Sequence, residues 1–183
     1  MIGRWARSRG MRVAYRTLEQ IRSVALQARR ILEVTDSTIN MLDILENGLR
    51  QKGIHYHIVE AQEIPGDAAR AMPEKGLILV AIEAYDAIHD GDPAQQLLVP
   101  HELAHFALGH VRTFARSVSR EPHIALEDSE VQADLFSHEF TMPVVMVRRL
   151  CQSVEQIQGV FNVPIEDARI RRDVLREERL IEW

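Results

Sequence analysis

His101, Glu102 and His105 stand in the pattern H-E-x-x-H. On a helix, residues four apart share a face, with Cβ atoms about 5–6 Å apart. Both imidazoles can therefore reach one metal ion. Glu102 lies beside His101 on the same turn, where it can take a proton from a metal-activated water. Chance predicts roughly 0.03 such matches in a chain of this composition, so the pattern is informative but needs a second signal.

A catalytic zinc site uses three protein ligands and keeps one position for water. The segment Glu130-Val131-Gln132-Ala133-Asp134 offers the third ligand. Glu130 and Asp134 are four apart and share a helix face. Glu130 can ligate while Asp134 accepts the spare N–H of a ligand histidine. The same spacing also suits two solvated surface carboxylates. His110 is the rival ligand, but Gly and His fall at +8 and +9 from His101, where three-histidine zinc sites of the metzincin type have +7 and +10. His110 is therefore read as a residue at a helix C-terminus, with Gly109 able to end that helix. Tyr56, Tyr85 and His138 are candidates to steady a developing oxyanion. His55 and His57 point one way along a strand and read as its polar face.

The stretches HELAHFALGH (residues 101–110) and EVQADLFSHEFTMP (residues 130–143) resemble the ImmA/IrrE family of metallopeptidases. That family pairs an H-E-x-x-H helix with a later helix of the form E-x-x-A-[ND]-x-F-A that closes on Met-Pro. Here those later positions are Glu130, Ala133, Asp134, Phe136, Ser137 in place of the last Ala, and Met142-Pro143, and the similarity runs over roughly residues 35–178. The resemblance implies that His101, His105 and Glu130 hold one zinc ion and that Glu102 is the catalytic acid/base. It implies a thermolysin-like peptidase core and, as substrate, a helix–turn–helix transcriptional repressor. Two readings of another class stand beside it. One is a metal-binding regulatory module that sequesters a repressor without cutting it. The other is a DNA-binding protein.

The elements that must position these residues follow from periodicity. Apolar residues recur at helical spacing from 11 to 33, and Thr17-Leu18-Glu19-Gln20 is a capping box where the helix begins or re-caps. A second helix, capped at Asp36 or Ser37, turns Ile39, Leu42, Leu45 and Leu49 inward and ends at Gly53. Residues 54–58 alternate as a strand, and Ala68–Met72 with Leu77–Ile82 read as a hairpin around Pro73-Glu74-Lys75-Gly76. Asp92 and Pro93 open a helix running through His101 toward Gly109, with Pro100 either kinking it or starting it. Residues 111–125 read as a loop. Helices are expected from about Leu126 to Met142, near 144–151 and 153–161, and over 165–180. The expected fold is α/β of the α+β kind, a mainly helical single domain with a small, largely antiparallel three-stranded sheet.

Residues 1–10 read as an Arg-rich flexible tail and 11–183 as one metallopeptidase domain. Residues 154–180 have a helix–turn–helix cadence with Asn162 at the turn. Glu166 and Asp167 open its last helix and would repel phosphates, so packing is the preferred role. The net charge of -5 also disfavours a general nucleic-acid binder, although residues 1–30 carry eight Arg and a single Glu. Cys151 is the one cysteine, which fits a reducing compartment. No apolar run approaches the ~20 residues that span a bilayer, and the N-terminus lacks a secretory signal's apolar core. A cytoplasmic protein that does not enter membranes is the expectation.

Overall fold

A computed structural model describes residues 10–110 and 123–183 of the chain. The N-terminal tail up to residue 9, and residues 111–122 of the expected loop, lie outside the described residues.

The first helix, α1 (Leu18–Ile31), starts at the capping box: Gln20 N–H donates to Thr17 Oγ1 and Thr17 N–H donates to the Gln20 side chain. Residues 11–16 are therefore not helical. They run extended beside 126–129, where Val13 N–H donates to Glu127 O and Ser129 N–H to Met11 O. α1 buries Ile21, Ala25, Ala28 and Arg29. Next, α2 (Met41–Asp43) is capped by Asn40, not by Asp36 or Ser37. It continues through a π-helical turn at Ile44–Gly48 and a 3₁₀ turn at Arg50–Lys52, and Gly53 ends it in the left-handed region. Ile39, Leu45 and Leu49 are buried as the periodicity requires; Leu42 is half-buried.

Three strands follow, β1 (His55–Val59), β2 (Ala69–Met72) and β3 (Leu77–Ala81). β2 and β3 form the expected antiparallel hairpin, but β1 pairs parallel to β3, giving a mixed sheet in the order β1-β3-β2. A helix with no sequence expectation, α3 (Ile82–His89), leaves β3 directly. Asp92 and Pro93 start only a 3₁₀ turn, and the H-E-x-x-H helix proper is α4 (Leu98–Ala107). Pro100 lies in its first turn. The first α-helical bond runs from His101 N–H to Leu97 O, so the missing proline N–H breaks no ladder and no kink is needed.

The remaining helices are α5 (Ser129–Thr141), α6 (Val144–Leu150), α7 (Val154–Phe161) and α8 (Ile165–Glu177). α5 is nearly enveloped: of its thirteen residues, only Glu130 and Asp134 are not buried. It packs between α1 and α4, while β2 lies against α4. A second apolar cluster, around Met142, Ile157, Phe161 and Leu175, joins α6, α7 and α8. Glu139 ties the two halves, receiving Arg22 of α1 and Arg171 of α8 on a carboxylate that is almost fully buried. The architecture is thus mainly helical α+β with a small sheet beside the H-E-x-x-H helix. Among the described residues no helix is long and apolar enough to cross a membrane.

Candidate metal centre

The two helices that carry the candidate ligands are held at their ends by local chemistry. Asp128 caps α5, its Oδ1 accepting the Glu130 and Val131 N–H groups at 2.9 and 3.1 Å. Its Oδ2 accepts Gly10 N–H and faces His123 Nε2 at 2.9 Å. This fixes Glu130 in the first turn. Gly10 closes against it so tightly that a Cβ there would stand 2.7 Å from Glu130 Cγ. α4 ends at Gly109, whose φ of +70 only glycine adopts at no cost. Gly109 N–H donates to Phe106 O and His110 N–H to His105 O, a Schellman cap.

The facing sides of α4 and α5 bring His101, His105 and Glu130 together, one ligand atom from each lying within 4.8 Å of the others. His101 Nε2 is 3.2 Å from Glu130 Oε2, and His105 Nε2 is 3.9 Å from Glu130 Oε1. Zinc bonds of about 2.1 Å set tetrahedral ligands about 3.4 Å apart, close to the 3.2 Å between His101 Nε2 and Glu130 Oε2. The rest of each imidazole is engaged too. His101 Nδ1 faces Asp134 Oδ1 at 3.0 Å, and His105 Nδ1 faces His110 Nδ1 at 3.2 Å. Two imidazoles and one carboxylate, each histidine oriented from behind, fit a zinc-type ion with an open fourth position.

The electrostatics favour a cation at the same place. Burial pulls the His101 pKa down, but its hydrogen bonds to Asp134 and Glu130 outweigh that and lift it to about 10. The hydrogen bond from His101 holds the Glu130 carboxyl below its ordinary range, against burial. Without a metal, the proton on His101 is the positive charge that these two carboxylates share.

Glu102 is 6% exposed. Burial pushes its pKa up to about 7, against the opposing pull of His101 and of the Ala71 N–H. That N–H donates to Glu102 Oε2 at 2.5 Å. Ala81 N–H donates to Ala68 O, so alternate residues 68, 70 and 72 turn their backbone toward β3. Ala69 and Ala71 turn theirs outward, along the edge of β2 that no other described strand pairs with. Glu102 is thus moored to the edge of the sheet.

Other candidates lie elsewhere. Tyr85 and Tyr56 stack, and both hydroxyls donate to Glu46 Oε1, at 2.6 and 3.4 Å. His138 faces Asp167 of α8. His55 and His57 are exposed. His110 lies just past the end of α4, yet it is buried and turned back under His105. It joins no ligand cluster. Burial holds its pKa below the usual histidine value. Its Nε2 faces Gln132 Oε1 at 3.0 Å. Sequence reasoning missed this contact, the part of Gln132 in it, and the mooring by Ala71. A glycine one residue before His110 is the signal for the first. Nothing local signals the other two.

No family model matches the sequence, and no curated protein matches it. Among solved structures, the fold is similar to a chain described as a Mycobacterium tuberculosis transcriptional regulator, at 15% identity and a TM-score of 0.52. The match covers 81% of this chain and 46% of the other, so this chain spans about half of that protein's length.

Proposed function

We propose that the chain is a zinc-dependent endopeptidase of the ImmA/IrrE kind that cuts a helix–turn–helix repressor at one or a few bonds. The observation that carries this reading is the pairing of two things in one place. A His101–His105–Glu130 ligand trio sits beside a buried carboxyl, Glu102, whose pKa of about 7 suits proton transfer at neutral pH.

Zinc, when bound, supplies an acidified water and an electrophile for the substrate carbonyl. Glu102 accepts the proton from the attacking water and later gives it to the leaving amine. Its mooring to Ala71 N–H keeps the carboxylate aimed while it changes charge. His101 and His105 are held by Asp134 and His110, so the ligand set needs little reorganisation. With the Ala71 N–H held by Glu102, the Ala69 N–H and the Ala69 and Ala71 carbonyls on the outward edge of β2 are the main-chain groups left to meet an extended peptide, which would then run past Glu102. Selectivity for a repressor is the part that rests on the family resemblance; a cytoplasmic setting rests on the lone cysteine of the sequence, Cys151, which is buried.

A second reading is a regulatory module that binds metal and a repressor without hydrolysis. The solved structure of similar fold, described as a transcriptional regulator, favours it. One experiment separates the two. The zinc-loaded chain and its Glu102→Gln variant are incubated with the repressor-like protein encoded beside this gene, followed by gel and pull-down. We expect wild type to cut at discrete bonds and Glu102→Gln to bind the repressor and leave it whole. Equal cutting by the variant removes Glu102 from the reaction. Binding by both forms, with no cutting, gives the second reading.

A further inference from the structure

His110 and Gln132 form a buried chain of hydrogen bonds behind His105, and with His110 neutral its direction follows from donor and acceptor chemistry. Gln132 is fully buried. Its side-chain nitrogen lies 2.8 Å from Ala14 O and 2.7 Å from Leu126 O. Both are carbonyl acceptors, so that end of the amide must be the NH₂ group and the other end the oxygen. The oxygen, Oε1, faces His110 Nε2 at 3.0 Å. An amide oxygen only accepts, so His110 carries its proton on Nε2. A neutral His110 then presents a bare lone pair at Nδ1, 3.2 Å from His105 Nδ1. That contact needs a proton, and His105 must supply it. His105 therefore holds its hydrogen on Nδ1 and leaves Nε2 bare, the atom that faces Glu130.

We infer that His110, set by Gln132, is a positioning residue that fixes the Nδ1–H tautomer of His105 and so keeps the His105 Nε2 lone pair aimed at the metal position. The two ligand histidines are thus held by different chemistry. His101 is backed by a carboxylate, Asp134, and His105 by a neutral imidazole. The backbone reinforces the second arrangement, because His110 N–H also caps the carbonyl of His105. The extended segment at 10–16 gains a role as well: its Ala14 carbonyl, together with Leu126, decides which way the Gln132 amide points. The tautomer stands on these hydrogen bonds and on a neutral His110, the form that burial favours for an imidazole. Its functional meaning rests on the metal-centre reading above.

The test reads both parts separately. Long-range ¹H–¹⁵N correlation spectra of the ¹⁵N-labelled, metal-free chain identify which nitrogen of each neutral imidazole is protonated. We expect the proton on Nδ1 of His105 and on Nε2 of His110. A proton on Nε2 of neutral His105 overturns the proposal, whether or not the chain binds metal. In the shape-conserving variant His110→Phe the acceptor is lost. His105 should then populate its other tautomer, and zinc affinity should fall about 10–100-fold, the usual effect of losing a partner behind a metal ligand. An unchanged His105 tautomer and unchanged affinity in a folded His110→Phe protein also overturn it. The wild-type spectrum needs no variant, so a His110→Phe protein that does not fold leaves the test standing. Wild type that shows the expected tautomers yet takes up no zinc refutes the metal-centre reading and with it the functional half, while the hydrogen-bond chain survives.

Discussion

Glu102 is costly where it stands. A carboxyl 6% exposed prefers to stay neutral, and its pKa of about 7 is well above the ordinary value of 4.5. The sign of the consequence follows by linkage. Below about pH 4.5 the group is protonated in both folded and unfolded chain, and it costs nothing. As pH rises toward 7 the unfolded chain ionises first, so stability falls, and above 7 the loss is complete. Glu102→Gln keeps the shape and an acceptor for the Ala71 N–H but never ionises. In the metal-free protein it should match wild type near pH 4.5. Above pH 7 it should be more stable, by on the order of 3 kcal/mol. Denaturant melts across that range check this. A variant that is equally stable at both ends would mean that the Glu102 carboxyl is not strained by burial. His101 tilts the metal-free protein the same way at higher pH. Its raised pKa of about 10 gives stability that is full below pH 6.5 and lost as pH climbs through 10.

At the scale of elements, the site depends on where two helices stop and start. α5 starts at Asp128, which places Glu130, and α4 stops at Gly109, which returns His110 beneath His105. Gly109 has open space around its Cα, so a methyl group there meets no neighbour. Its φ of +70 is nonetheless a left-handed backbone that an L-residue resists. Gly109→Ala should therefore cost about 1–2 kcal/mol through strain alone. If the chain relieves that strain by moving the turn, His110 leaves His105, and zinc binding weakens beyond what stability loss explains. Urea melts and zinc titration of the same variant separate the two effects. A Gly109→Ala protein as stable as wild type would show that the left-handed turn is not required. β2 has a comparable part in the site, because its outward N–H at Ala71 holds Glu102 while its inward groups pair with β3.

At the scale of the whole molecule, what the sequence made legible was mostly local. H-E-x-x-H and the Glu130/Asp134 pair need only helical spacing, the Thr17 box needs only four residues, and α6 to α8 follow from apolar periods broken at Pro143, at the Ser153 cap and at Pro164. What it hid depends on distant partners or on backbone angles. β1 joins β3 in parallel, on the edge opposite β2, a pairing that no local pattern encodes. α3 has no side-chain cap to announce it, and Asn40 rather than Asp36 or Ser37 is the cap of a helix whose Met41 and Ile44 are buried. His110 is aimed by a single φ. These distant contacts converge on one claim, that His101, His105 and Glu130 hold one metal ion. Calorimetric titration of the metal-free chain with zinc tests it most directly. About one ion per chain is expected, with near-total loss of that binding in Glu130→Ala and a milder loss of about 10–100-fold in Asp134→Ala. Binding at full strength in Glu130→Ala, or loss of the metal in His110→Ala while Glu130→Ala retains it, would contradict the account.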